Sequence, residues 1–285
     1  RTWNTQRKAL YARMSQAVAL MPALNGFGIL SNVGTSSAVD TAGETFIASG
    51  LSKVLKINNI CDKEHIEDCG FPTAVTTLGG NAIASFPRTM EDLNSKMTSA
   101  PSDDYATSLN QTNTQAVAFE TQNGESILAF YNPNCKDTLA NIENDSKTFM
   151  QPFVCVNFVY DLNGSKGPNT VGKDIGVITV FNSSDSTVVA PMPYNKVITA
   201  SDDNATSVCT TEISGGEYRL PNYLEATSIW VNKSLFDWDN SNPNIFTQTQ
   251  KMKSDGLHRR VIGISSGMLI SYPLGAEGKS FCIKR

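Results

Sequence analysis

Charge is scarce in this chain: of 285 residues only 18% are Asp, Glu, Lys or Arg, and the net charge is −4. No basic excess is present to neutralise a phosphate backbone, and no polybasic cluster faces an anionic membrane, so nucleic acid is not an expected partner. No run approaches the ~20 apolar residues of a bilayer span. Histidine is nearly absent too, and His65 and His258 are separated by most of the chain, which gives no metal-ligand spacing. Both read as surface loop residues. The cysteines contain no C-x-x-C pair, which argues against a zinc ribbon or a thioredoxin-like motif. Gly79-Gly80 has no Lys-Ser/Thr downstream and is no phosphate loop. Gly263-Ile264-Ser265-Ser266-Gly267 carries the letters of a hydrolase nucleophile elbow, but no histidine follows it and the next residues read as strand, so Ser265 is not expected to be a nucleophile. Asp103-Asp104, Asp202-Asp203 and Asp237-x-Asp239 read as solvated turns rather than as a glycosidase pair. No catalytic residue is expected.

What is present is a core and a set of crosslinks. Hydrophobic residues make up 40% of the chain, enough to fill a sizeable interior, and the surface is drawn largely from Asn, Ser and Thr. Six cysteines, Cys61, Cys69, Cys135, Cys155, Cys209 and Cys282, form an even set that fits an oxidising, extracytoplasmic compartment. The count alone leaves their connectivity open. Arg1 to Leu20 reads as a helix already under way, with no capping box ahead of it, so a segment removed upstream is expected.

Trp3, Leu10, Met14, Val18 and Met21 recur at helical spacing opposite Arg1, Gln6, Lys8 and Arg13, and Pro22 with Asn25-Gly26 is expected to end that helix. Thr41 to Lys56 repeats the pattern through Phe46, Ile47, Leu51, Val54 and Leu55, with Asn58-Asn59 as a stop. Strands are expected over Gln115 to Glu120 and Ser126 to Tyr131, joined at Asn123-Gly124, and over Phe153 to Tyr160 and Ile175 to Phe181. Later strand candidates are 188–189, 226–231, 261–264 and 268–272. The expected architecture is α+β: one domain over 1–285, helical over 1–56, irregular over 57–113 and β-rich over 114–285, with the N-terminal helix packed on an antiparallel sheet.

The loop between the second strand pair is Asp161-Leu-Asn-Gly-Ser-Lys-Gly-Pro-Asn-Thr-Val-Gly-Lys-Asp174. Asp161, Asn163, Asn169 and Asp174 offer the side-chain oxygens that a hard cation needs, with loop carbonyls completing the shell, although the EF-hand spacing and its closing Glu are missing. The competing reading is a long hairpin loop in which Asp161 and Asn163 bond their own backbone.

This segment resembles the D-x-N-G-x-x-G-P-N-x-x-G-x-D stretch of bacterial type IV pilin-like proteins, the pilins and type II secretion pseudopilins. Arg1 to Leu20 is similar to the part of the pilin helix that follows its hydrophobic half, and Met268 to Pro273 with Cys282 is similar to the closing strand and late cysteine. Residues 57–120 and 182–260 lie outside the resemblance. It implies a non-enzymatic pilin or pseudopilin subunit with disulfide-tied loops and a calcium-binding loop. Its partners would be other such subunits, met through the N-terminal helix. It also implies inner-membrane anchoring through the hydrophobic half-helix before assembly into a surface or periplasmic filament. The alternative is a secreted carbohydrate- or ligand-binding module with Trp230, Trp238 or Tyr223 as contact residues. The expected disulfides are Cys61 with Cys69 around a charged loop, Cys135 with Cys155 across neighbouring strand ends, and Cys209 with Cys282 tying down the last strand.

Overall fold

The structure is a computed structural model. It describes residues 2–25, 39–94, 114–133, 135, 140–144, 147–182, 187–195, 197–201, 204–211, 213, 217–237, 244–253, 256–263, 267, 269–273, 275 and 277–284. Helix α1 spans Trp3–Asn25 and continues through Pro22, which falls in the last turn and so removes only one late hydrogen bond. Its inner stripe, Leu10, Met14, Ala17, Val18 and Met21, is buried. The second expected helix is divided. Helix α2, Val39–Thr45, passes into a π turn at Phe46–Gly50 and a 3-10 turn at Leu51–Lys53. Gly43 lies so close to Val117 that a Cβ there would sit 2.9 Å from its Cγ2. The changes of winding let Phe46, Ile47 and Leu51 all reach the core, with Phe46 stacked on Tyr131 at 4.4 Å.

Six strands form the first sheet: β1 Ile57–Cys61, β2 Ala116–Thr121, β3 Ser126–Tyr131, β4 Val154–Asp161, β5 Ile175–Phe181 and β6 Val188–Val189. They lie in that order, each antiparallel to the next. Asn58 and Asn59, expected to stop a helix, instead lie in β1, where the register shifts between Ile57 and Asn59. Gly124, at φ 83°, turns β2 into β3 as the Asn-Gly pair predicts. Polar contacts from Arg7, Tyr11 and Arg13 help fix α1 against this sheet. Arg7 bonds the loop after β4, the Tyr11 hydroxyl donates to the Val188 carbonyl at 3.0 Å, and Arg13 forks onto Glu125 at the β2–β3 turn.

A second sheet is made of β7 Ile198–Ser201, β8 Asn244–Lys253, β9 Gly256–Gly263, β10 Leu269–Pro273 and β11 Glu277–Ser280, in the order β7-β11-β8-β9-β10. The β8–β11 pair is parallel, so this sheet is not purely antiparallel. Helix α3, Ala205–Thr211, covers a small core of Ala205, Val208, Cys209, Phe246 and Val261.

Residues 226–231, expected as strand, are helix. They belong to α4, Tyr223–Val231, which a reciprocal capping box starts: Glu225 N donates to Asn222 Oδ1 at 2.8 Å, and Asn222 N donates to Glu225 Oε2 at 2.7 Å. A short, wholly apolar run fits strand and buried helix equally, and the cap decides. Ala226, Ile229, Trp230 and Val231 are fully buried because α4 lies between the two sheets, in one hydrophobic cluster that runs from Leu10 to Ile283. Asn157 and Asn232 exchange amide hydrogen bonds of 2.9 and 3.0 Å beneath the helix, and Thr179 joins Asn157 to Ser228 at 2.7 and 2.6 Å.

The disulfides are Cys61–Cys69, Cys135–Cys155 and Cys209–Cys282, the same pairs named from the sequence. The last joins residues 73 apart and holds α3 to the end of the chain. Loop-closure entropy assigns such a bridge about 4.4 kcal/mol. Replacing Cys209 and Cys282 by Ser together should lower the unfolding free energy by that order in a urea titration, whereas a loss below ~1 kcal/mol would show that the bridge constrains little.

Candidate functional site

The 161–174 loop leaves the end of β4 and returns at the start of β5, and Asp161 pairs across the sheet with Ile175. Its two acidic residues are fully buried. Asp161 Oδ1 accepts the Asn163 amide at 3.0 Å, an Asx turn. Asp174 gives one oxygen to the Asn169 amide and the other to the Thr170 amide, both at 2.8 Å. Asn163 Nδ2 donates to the Lys166 carbonyl and, at 3.2 Å, to that of Gly167. The hairpin reading therefore accounts for part of the loop, and Asp174 is in the first place its brace.

Other oxygens are left over. Asp161 Oδ2, Asn163 Oδ1 and Asn169 Oδ1 are buried atoms without a hydrogen-bond partner, and buried polar atoms normally have one. They come from three of the four residues named from the sequence. Burial, together with the nearby charge of Asp174, pushes the Asp161 carboxyl up to about 7, against opposing bonds from the Asn163 and Gly164 amides. A divalent cation placed within reach of these oxygens would satisfy them and hold Asp161 ionised, which is the ligand chemistry of a hard-cation site. Among the described residues no group of three or more His, Cys, Asp or Glu could hold a metal, so any ion here depends on two acids, two amides and loop carbonyls.

The loop is held from three sides. Gly164, at φ 65°, lies against Gly70 at the end of the first disulfide loop, and a Cβ there would stand 3.3 Å from the Gly70 carbonyl. Thr76 bonds across to Asn169 and Val171, both at 2.9 Å. From α1, Arg7 Nη2 donates to the Gly172 and Lys173 carbonyls at 3.1 and 2.9 Å. Beside it is the buried Tyr160 phenol, raised to about 12 by burial, with the Arg7 charge opposing the rise. Gly176 must lack a side chain, because a Cβ would fall 2.2 Å from the Tyr160 hydroxyl oxygen. Sequence reading missed Arg7: its place on the polar side of the helix was legible, its target was not.

The other sequence candidates are scattered. Trp230 is fully buried under the sheets and cannot be a contact residue; Tyr223 is half-buried and packed on the core. Trp238, Ser265 and Asp239 lie outside the described residues. The Asp237 carboxylate is taken up by the Gly79 amide at 2.6 Å, by Asn81 Nδ2 at 2.9 Å and by the Thr77 hydroxyl, and it braces a turn. His65 is exposed and bonds Asp62 at 2.7 Å, whereas His258, expected on a surface loop, is buried in β9. A groove of about 320 Å³ runs between α1 and the β2–β3 turn, lined by Arg13, Leu20, Leu55, Lys56 and Asn123 among others. Comparison with protein-family models, curated proteins and solved structures returned no match, so the functional reading depends on these residues themselves.

The Asp161 shift has a sign that can be measured. Its carboxyl is raised from the ordinary 3.8 to about 7, so the folded protein keeps a proton that the unfolded chain has already released across that window. In chelator, stability should therefore fall as pH rises from about 4 to about 7, by roughly 1.4 kcal/mol per unit at the steepest. Asp161→Asn should remove that fall. An unchanged pH slope in this variant would assign the titration to another group.

Proposed function

We propose that this chain is a structural, non-enzymatic subunit of a type IV pilus or type II secretion-like filament. In this reading the 161–174 loop is its calcium site, and α1 meets the neighbouring subunits. The observation that carries the reading is the two-sided character of α1. One face is buried on a six-stranded sheet, while the exposed face carries Ala9, Ala12, Ala19, Leu20 and Ala23. Small side chains let a second helix approach closely, and that face is poor in charge where a solitary surface helix would carry it. The disulfides and the D-x-N-G-x-x-G-P-N-x-x-G-x-D loop add support, as devices that hold long connections in an extracytoplasmic protein. Before assembly the subunit would be held in the inner membrane by an apolar extension of α1.

Two experiments test this. Ala12→Asp should leave the melting temperature within about 1 °C, because exposed substitutions rarely change stability by more than ~0.5 kcal/mol. It should nevertheless exclude the subunit from filaments sheared from cells. Normal incorporation, or a gene encoding an ordinary cleaved signal peptide in place of a prepilin leader and apolar helix, would overturn the filament reading. For the loop, extracellular calcium sites bind at about 0.1 to 1 mM, so 2 mM calcium at the tight end stabilises by roughly 1.8 kcal/mol. That corresponds to a melting shift of about 3 °C. Asp161→Ala should lose the shift and magnesium should reproduce little of it; identical melts in calcium and chelator would leave the loop a hydrogen-bonded turn only.

A further inference from the structure

We propose that Arg7 couples the 161–174 loop to the N-terminal helix, so that a divalent cation held by the loop tightens the docking of α1 on the first sheet. This inference rests on the reading of the loop as a cation site. Arg7 lies in the second turn of α1, and its guanidinium donates to two successive carbonyls, those of Gly172 and Lys173. Those residues immediately precede Asp174. The same guanidinium stands beside Tyr160, the residue immediately ahead of Asp161. One side chain of the helix thus meets the chain at both ends of the candidate site. Of the other polar pins of α1, Tyr11 goes to β6 and Arg13 to Glu125 in the β2–β3 turn, which borders the loop at Gly164 but bonds neither of its ends through the arginine.

The contact is a matter of shape. A planar guanidinium can serve two consecutive carbonyls only while the turn presents both in one direction. The turn is held by Asp174, through the Asn169 and Thr170 amides, and by the Gly172 amide on the Ile175 carbonyl at 2.9 Å. Asn169 also carries one of the unpartnered oxygens. A cation bound to Asp161, Asn163 and Asn169 would therefore fix the segment that Arg7 reads. Linkage makes the effect mutual: if the ion favours the docked arginine, the docked arginine favours the ion to the same degree.

Charge alone predicts the opposite sign. A guanidinium near a cation repels it, so removing the positive charge would tighten calcium binding if no shape coupling existed. The direction of the change at Arg7 separates the two effects.

The experiment is a calorimetric calcium titration of the folded chain as wild type, Arg7→Met and Arg7→Lys, with hydrogen exchange of the α1 amides followed in calcium and in chelator. Arg7→Met keeps an unbranched apolar stem, and Arg7→Lys keeps the charge while losing the planar Nη2 group whose two N–H bonds reach both carbonyls. Should the Met variant fail to fold, the Lys variant carries the test. Both variants are expected to bind calcium at least about five-fold more weakly than wild type, the lower end of ordinary coupling between sites. Calcium should slow α1 exchange more in the wild type than in either variant. Binding as tight as or tighter than wild type, or equal slowing of α1 in all three, overturns the coupling and leaves the cation site standing. A wild type that takes up no calcium removes the site and the coupling together.

Discussion

Because α4 has a sheet on either side of it and almost no solvent face, every polar group it brings must be satisfied inside the protein. The capping box of Asn222 and Glu225 meets that demand at its start. At its far end Asn232 turns back to the Ser228 carbonyl at 2.8 Å and exchanges amides with Asn157 of β4. A buried amide left without its mate costs about 1 to 3 kcal/mol, so the Asn157–Asn232 exchange admits one seating of α4 and disfavours sliding. The two sheets are registered to each other through that helix, and the apolar cluster from Leu10 to Ile283 closes around it.

The same rule, broken, defines the loop at the other end of β4. There Asp161, Asn163 and Asn169 each present a buried oxygen that nothing in the described protein bonds. Buried unbonded oxygens occur elsewhere as well, as at Gln6, Ser15 and Asn94, but three fall together within fourteen residues held by Gly70, Thr76 and Arg7. Rigid surroundings with unsatisfied oxygens are what preorganises a binding site, since the loop does not have to be ordered by its ligand. Under the proposed reading as a cation site, the first disulfide loop and α1 would be parts of its support.

Much of this was legible in the sequence where periodicity and turn chemistry agreed. Ser126 to Tyr131 and Ile175 to Phe181 are strands with those bounds, and the buried stripe of α1 lies at the residues that helical spacing selects. Residues 226–231 differ from the expected strand because an apolar run between two sheets has no polar face to give it a period; the Asn-x-x-Glu cap that begins four residues earlier holds the missing information. The π turn at Phe46–Gly50 was hidden for a different reason, since it follows from the fit of Phe46 against Tyr131 and of Gly43 against Val117, contacts between distant residues. His258 looked exposed beside Arg259 and Arg260, yet Arg259 is itself buried, donating to the Thr247 carbonyl at 2.8 Å and the Thr206 hydroxyl at 3.1 Å. Charge near a residue signals solvent only when the tertiary structure offers that charge no carbonyls. In the loop, residue types marked the candidate oxygens, but which of them stay unbonded follows from the backbone path that brings the Asn163, Asn169 and Thr170 amides onto Asp161 and Asp174.

The two sheets also differ in what they ask of the growing chain. The first is a meander in which each strand lies beside its predecessor, so its contacts accumulate as the polypeptide emerges. The second seats β11 between β7 and β8, with a parallel pairing of Ile245 and Lys279, and its small core includes Cys282. That sheet cannot close until residues 277–280 have been delivered. The first sheet is thus complete in sequence by residue 189, whereas the second draws its strands from residues 198 to 280. Loss of residues 277–280 would therefore remove an inner strand of the second sheet rather than fray an edge.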